Sequence, residues 1–181
     1  MLVGVLHFRE SEIIRSVIVA LLLATLPAVV RAGTIERYKA PGPGPALILQ
    51  GVSVPAGTEL LFLSGQVASP IDPAKPLTPA ATAADLGDTK TQTISVLTKI
   101  KAALVAHGYA MSDVIKLTVF VVGDPNLGGK MGFAGMNEGF KQFFGTPENP
   151  NTVARSAVQV AALAGPAFLV EIEATAAKAK P

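Results

Sequence analysis

Two alternating runs near the end of the chain, 154-ARSAVQV-160 and 169-LVEIEATA-176, carry the strongest signal about its fold. The turn signal Ala164-Gly165-Pro166 separates them, so the pattern predicts two strands joined as a hairpin. Side chains alternate between the two faces of a strand, and a hairpin of this length would bring Arg155 close to Glu171. A fixed guanidinium beside a carboxylate can hold an acidic substrate and position a water.

The composition limits the chemistry that the chain can perform. At 181 residues it is long enough for one domain with a substantial core. It has no cysteine and two histidines, His7 and His107, which argues against disulfides, thiol nucleophiles and Cys/His metal sites. His107 precedes Gly108 at the end of a helical pattern, where a solvated side chain is expected. The net charge of +2 is not clustered, so we expect no nucleic-acid partner.

The N-terminus resembles an export signal. Arg15 precedes an apolar run over residues 17–30, which is shorter than the roughly 20 residues that span a bilayer. We interpret residues 1–32 as a signal peptide cleaved after Ala32, which predicts a periplasmic or secreted protein with no membrane contact after cleavage. Glu10 and Glu12 are unusual in such a leader. A retained anchor and a later start codon, with a cytoplasmic product, are the alternatives.

The first half of the remaining chain reads as strands followed by a helix. Residues 33–46 form a Gly/Pro-rich lead-in that we expect to be irregular. Two strands, residues 47–54 and 59–63, flank a turn signal at 55–57 and predict a second hairpin. Residues 69–84 read as a loop. Apolar residues then recur at helical spacing up to Gly108, and Asp85 or Asp88 would cap the start of this helix.

The second half predicts a strand, a helix and the final two strands. Residues 114–122 are apolar and β-branched, as in a central strand, and Phe133, Met136, Phe140 and Phe143 mark a second amphipathic helix. The order ββαβαββ predicts an α+β fold, with a single mixed sheet and two helices packed on one face. The other face would carry Ala157, Leu169 and apolar residues of 114–122. Exposed apolar faces usually become interfaces, which predicts an oligomer.

Several short motifs resemble those of one known family. They are 63-LSGQ-66, 116-KLTVF-120, Asn137 ahead of Phe143-Phe144, 154-ARS-156 and 170-VEIEA-174. In this order and spacing they resemble the Rid (YjgF-type) family of reactive-intermediate deaminases, over residues 47–177, with 178–181 as a tail. The resemblance implies a chorismate-mutase-like fold and a homotrimer with clefts between subunits. It also implies hydrolysis of 2-imino acids, of the 2-aminoacrylate and 2-iminobutyrate type, to 2-keto acids and ammonia without cofactor or metal.

The same resemblance assigns roles to four residues. Arg155 matches the arginine that binds the substrate carboxylate, and Glu171 matches the glutamate that orients the water. Asn137 and Gly65 match substrate-binding positions near the cleft. Each residue also has a structural alternative. Arg155 could form a salt bridge with Glu171 or Glu173, Glu171 could be a solvated strand carboxylate, Asn137 could supply loop polarity, and Gly65 could mark a strand bulge.

Departures from the family pattern leave a second function open. The family's Gly-Pro-Tyr segment reads Gly44-Pro45-Ala46 here, so the tyrosine that faces the cleft is absent. A frequent cysteine is replaced by Ala157, the turn at 163–168 differs, and the loop over 123–132 is longer and glycine-rich. The alternative is a non-catalytic trimer that binds small carboxylates or acts as a chaperone.

Overall fold

The computed structural model describes residues 33–179 of the chain. The export signal expected over residues 1–32 lies outside this range. Within the described part of the chain, no helix combines the length and the apolar character needed to cross a membrane.

The secondary structure comprises seven strands and three α-helices within these residues. The strands are β1 Glu36–Lys39, β2 Leu49–Ser53, β3 Glu59–Val67, β4 Val114–Asp124, β5 Lys130–Met131, β6 Ala154–Val160 and β7 Val170–Lys178. The helices are α1 Ala83–Leu86, α2 Thr89–Ala106 and α3 Phe133–Phe140, with 3₁₀ turns at Met111–Asp113 and Pro125–Leu127.

The strands form one mixed sheet in the order β1-β2-β6-β4-β7-β3, and β5 pairs with the end of β4. Strand β6 runs parallel to both β2 and β4, whereas the other pairs are antiparallel. Helices α2 and α3 pack against each other and bury their apolar side chains on one face of the sheet. We call this face the helix side and the other the open side. The predicted α+β class with two main helices on one face of a mixed sheet is confirmed.

Both predicted hairpins are wrong, although their strands exist. Strand β4 lies between β6 and β7, so the two runs near the end of the chain are not neighbours. Likewise β2 pairs with β1 and β6, while β3 pairs with β7 near the opposite edge. Turn residues show where a strand ends but not which strand it joins. The apolar character of β4 suits a central position, where β6 and β7 pair with it on either side.

The lead-in contains a strand that the sequence did not predict. Strand β1 pairs antiparallel with β2, whereas residues 33–35 and 40–46 of the lead-in are irregular. Arg37 fixes this strand because its guanidinium donates to three backbone carbonyls: Ser112 at 2.8 Å, Thr152 at 2.9 Å and Val114 at 3.0 Å. The Arg37 side chain thus adds three hydrogen bonds to the few that the short pairing of β1 with β2 provides.

Two aspartates cap the starts of α1 and α2, and a glycine allows α2 and α3 to pack closely. Asp88 caps α2 by accepting a hydrogen bond from the backbone N–H of Thr91 at 2.8 Å. Asp85 lies within α1 and accepts a hydrogen bond from the N–H of Thr82, the residue before that helix. Helix α3 ends at Phe140, so Phe143 lies in the following turn. Gly139 lets α3 approach α2 closely, because a Cβ there would lie 2.9 Å from that of Thr93.

Candidate functional site

Arg155 lies on the helix side of β6, where two residues of α3 hold its guanidinium. Its register partner in β4, Leu117, is fully buried in the core. The Nη2 atom donates to Oδ1 of Asn137 over 2.6 Å, and the guanidinium carbon lies 4.5 Å from the centre of the Phe140 ring. Phe140 in turn stacks on Phe144, with 4.7 Å between ring centres. The guanidinium plane is therefore fixed from one edge and one face.

The guanidinium lacks an anionic partner within residues 33–179. Its Nη1 atom is buried and has no hydrogen-bond partner there, and no ion pair forms with Glu171 or Glu173. Burial lowers the pKa of Arg155, but an arginine side chain keeps its charge in a protein. A buried charged donor without an acceptor is costly, and a ligand carboxylate would satisfy it with parallel charge-assisted hydrogen bonds.

Glu171 lies on the open side of β7, away from Arg155. It is in register with Phe120 of β4 and Val67 of β3. Phe120 is three residues from Leu117, the partner of Arg155, and side chains an odd number apart point to opposite faces. The predicted proximity of Arg155 and Glu171 is therefore wrong within one chain, because β4 separates their strands and the register places them on opposite faces.

The other two predicted residues each accompany one member of this pair. Asn137 contacts Arg155 through its side-chain oxygen, so it orients the guanidinium. Gly65 lies beside Glu171, and a Cβ at this position would overlap the Glu171 carboxylate. The structure thus brings together Arg155 with Asn137 and Glu171 with Gly65, as two separate half-sites.

Phe140 also contacts Arg155, although the sequence predicted it only as part of the apolar face of a helix. Asn137 and Phe140 are three residues apart in α3, a spacing that puts both side chains on one helix face. A polar and an aromatic residue at this spacing could have indicated a platform for a cation. Within the described part of the chain, no three His, Asp or Glu side chains cluster closely enough to hold a metal ion.

The open side differs from its predicted composition. Ala157 is in register with Val119 on the helix side, and Leu169 is buried in the core, so neither belongs to the open side. Their places were misassigned because the assumed hairpin set the wrong register. The large apolar side chains exposed on the open side are Leu60, 41% exposed, Phe62, 72% exposed, and Val158, 45% exposed. Phe62, Lys116 and Glu173 line a shallow cavity of about 200 Å³ there.

Comparison with known proteins identifies the family. The model of the family described as Endoribonuclease L-PSP matches residues 50–178. The chain belongs to this family. Over 146 residues it is 39% identical to TdcF of Escherichia coli K12, whose name proposes that it is a reactive intermediate deaminase. That alignment covers 80% of this chain and 95% of TdcF. The resemblance to the Rid family is thereby confirmed.

Two further relatives agree with this assignment. A RutC family protein of Pyrococcus horikoshii is 41% identical over 118 residues, which cover 65% of this chain and 79% of that protein. The crystal structure of YyfB from Yersinia pestis, a Rid family protein of unknown function, superimposes with a TM-score of 0.54 and 29% sequence identity. The superposition covers 71% of this chain and 85% of YyfB. The fold and the family are therefore those expected from the motifs.

Proposed function

We propose that this protein hydrolyses 2-imino acids to 2-keto acids and ammonia, at sites shared between subunits of a homotrimer. The observation that carries the proposal is the buried Nη1 atom of Arg155, which has no acceptor among the described residues. Membership of the same family as TdcF, a relative named for reactive-intermediate deamination, supports the reaction class.

Arg155 binds the carboxylate of the substrate in this mechanism. Asn137 engages one Nη2 hydrogen, Phe140 covers one face, and Nη1 has no polar partner among the described residues, so we assign the substrate carboxylate to the Nη1 edge. Two parallel charge-assisted hydrogen bonds would then fix the ligand in the guanidinium plane. Because the imine carbon is bonded directly to this carboxylate, fixing the carboxylate also fixes the reacting carbon.

Glu171 acts on the water, and it comes from a neighbouring copy. Since Arg155 and Glu171 project from opposite faces of one sheet, a site that uses both groups draws them from two chains. The carboxylate accepts a proton as the water oxygen bonds to the imine carbon and the C=N π pair moves to the nitrogen, and the Glu171 carboxyl then returns this proton to the nitrogen, which gives a neutral carbinolamine. The same carboxylate next relays the hydroxyl proton of the carbinolamine to the amino nitrogen. The C–N bond breaks as the C=O bond forms, and ammonia leaves the 2-keto acid.

The second candidate function is binding of small carboxylates without catalysis. The half-site of Arg155, Asn137 and Phe140 satisfies the needs of a carboxylate ligand by itself. Ala46 also stands where the family pattern places a tyrosine facing the cleft. In this case Glu171 would take no part, and ligand affinity would not depend on it.

An assay with a freshly generated imine distinguishes the two functions. A pyridoxal-phosphate-dependent dehydratase acting on threonine supplies 2-iminobutyrate, and semicarbazide traps the imine that is not yet hydrolysed. We expect the purified protein to lower the yield of trapped imine and to speed formation of 2-oxobutyrate. Binding of 2-oxobutyrate in a calorimeter with no effect on the trapped yield would support the binding function and contradict catalysis.

A further inference from the structure

The position of Glu171 depends on a bulge in the neighbouring strand β3. Leu63 pairs with Ala174, and the next paired residue, Gln66, faces Ile172. Ser64 and Gly65 therefore oppose a single residue of β7, which is the geometry of a β-bulge. The bulge presents the backbone of Gly65 to the side chain of Glu171.

Backbone conformation does not explain why glycine occupies position 65. Its φ is not positive, so the backbone conformation does not demand glycine. The three atoms nearest to a built Cβ all belong to the Glu171 side chain: Oε1, which it would overlap, Cδ at 2.8 Å and Cγ at 3.0 Å. The Glu171 carboxylate thus occupies the space that a side chain at position 65 would need.

We propose that Gly65 is a positioning residue for Glu171. Because glycine has no side chain, the Glu171 carboxylate can lie in the space beside position 65. This inference rests on the proposed function, in which Glu171 activates the water. A methyl group at position 65 would push the carboxylate aside, and the flexible glutamate side chain would move with little disturbance to the sheet. The protein would keep its fold and its Arg155 clamp but would hold its base in the wrong place.

Kinetics of Gly65→Ala test this role. We expect kcat to fall about 100-fold or more, in the range of a lost general base, with KM within about twofold of wild type. Glu171→Gln should cause a similar loss, and the double variant no further loss. The matched control is Gly51→Ala, because Gly51 also lies in a strand and its nearest neighbouring atom, in Tyr38, would be 4.0 Å from a Cβ. This control should retain full activity.

Three kinetic outcomes would overturn the proposal while leaving the proposed function intact. The first is an unchanged kcat in Gly65→Ala when Glu171→Gln is impaired. The second is a rise in KM alone, which would indicate contact with the substrate. The third is a double variant whose kcat loss equals the two single losses combined, because independent effects multiply.

Thermal unfolding tests the same contact without relying on catalysis. At one fixed protein concentration, Gly65→Ala should lower Tm by about 2–4 °C in the wild-type background. In the Glu171→Ala background it should leave Tm unchanged or raise it, because the obstructing atoms are gone and alanine restricts the unfolded chain. Equal Tm shifts in both backgrounds would refute the contact. If Glu171→Gln were fully active, Glu171 would not be the base and the proposed function would be wrong. The comparison of Tm shifts in the two backgrounds would then still show whether Gly65 positions the Glu171 side chain.

Discussion

At the scale of single residues, Arg155 combines a retained charge with incomplete hydrogen bonding. Lysine cannot reproduce its planar pair of donors, and alanine removes the charge. We expect Arg155→Lys and Arg155→Ala each to lower kcat/KM for 2-iminobutyrate hydrolysis at least about tenfold, the scale of a lost charged hydrogen bond. Initial rates in the trapping assay measure this loss. Unchanged kcat/KM in both variants would contradict the clamp.

Arg37 is the matched control, because it is the other arginine among residues 33–179. Its guanidinium already donates to three backbone carbonyls, so it cannot take over the carboxylate. Arg37→Lys should lower Tm, since a lysine cannot reach all three carbonyls in the same geometry, and should leave KM unchanged. A rise in KM with unaltered Tm would instead place Arg37 in the ligand site.

The motifs predicted candidate site residues but not the contacts that these residues make. Arg155 and Glu171 were predicted from the resemblance, and the structure adds that the Nη1 atom of Arg155 is buried without a hydrogen-bond partner among residues 33–179. The role of Gly65 could not be read from the sequence, because its neighbour Glu171 is more than 100 positions away and the contact depends on a bulge. Phe140 was hidden because an aromatic residue at helical spacing usually marks a core.

At the scale of elements, local patterns predicted the strands and helices but not the order of the sheet. Alternation, apolar content and capping residues are properties of neighbouring positions, and α2, β4, β6 and β7 were found from them. Pairing depends on tertiary contacts, so β4 between β6 and β7 was missed. Strand β1 was missed because it is four residues long and depends on Arg37.

The start of α2 makes a pH-dependent contribution to stability. The hydrogen bond from the N–H of Thr91 lowers the pKa of Asp88 below its usual value of about 3.9. A lowered pKa stabilises the fold above the unfolded-state pKa, and this contribution disappears as the pH falls through the folded-state pKa. We expect Asp88→Ala to lower the free energy of unfolding by about 1 kcal/mol at pH 7, and the difference to shrink below about pH 4.

Asp88→Asn separates the cap from its charge. Asparagine is an equally good capping residue, but it does not titrate in this range. Urea unfolding of the three proteins between pH 3 and 7 should show Asp88→Asn close to wild type at neutral pH and less sensitive to acid. A constant difference between wild type and Asp88→Ala at every pH would show that ionisation of the Asp88 carboxyl contributes nothing to stability.

At the scale of the whole molecule, the open side of the sheet is the surface that the proposed trimer would bury. Phe62 is 72% exposed there, and Leu60 and Val158 are also exposed on this side. Because burial in such an interface would desolvate the charge, and because the apolar contact area of the ring is lost, we expect Phe62→Glu to dissociate the assembly at micromolar concentration. Light scattering would report the mass. Ile71→Glu is the control, since Ile71 is 60% exposed in the loop after β3 and belongs to no strand. A monomeric wild-type protein would contradict the trimer.

The placement of Arg155 and Glu171 on opposite faces of one sheet has a genetic consequence. If each site takes the arginine from one copy and the glutamate from another, two inactive alleles can complement each other. Arg155→Ala and Glu171→Gln chains, unfolded together and refolded as an equal mixture, should regain about a quarter of wild-type activity. Half of the chains can supply an intact arginine and half an intact glutamate, so about a quarter of the sites receive both. Each variant refolded alone should keep its own low activity. The two variants refolded separately and then mixed without exchange of subunits should show no gain over that low activity.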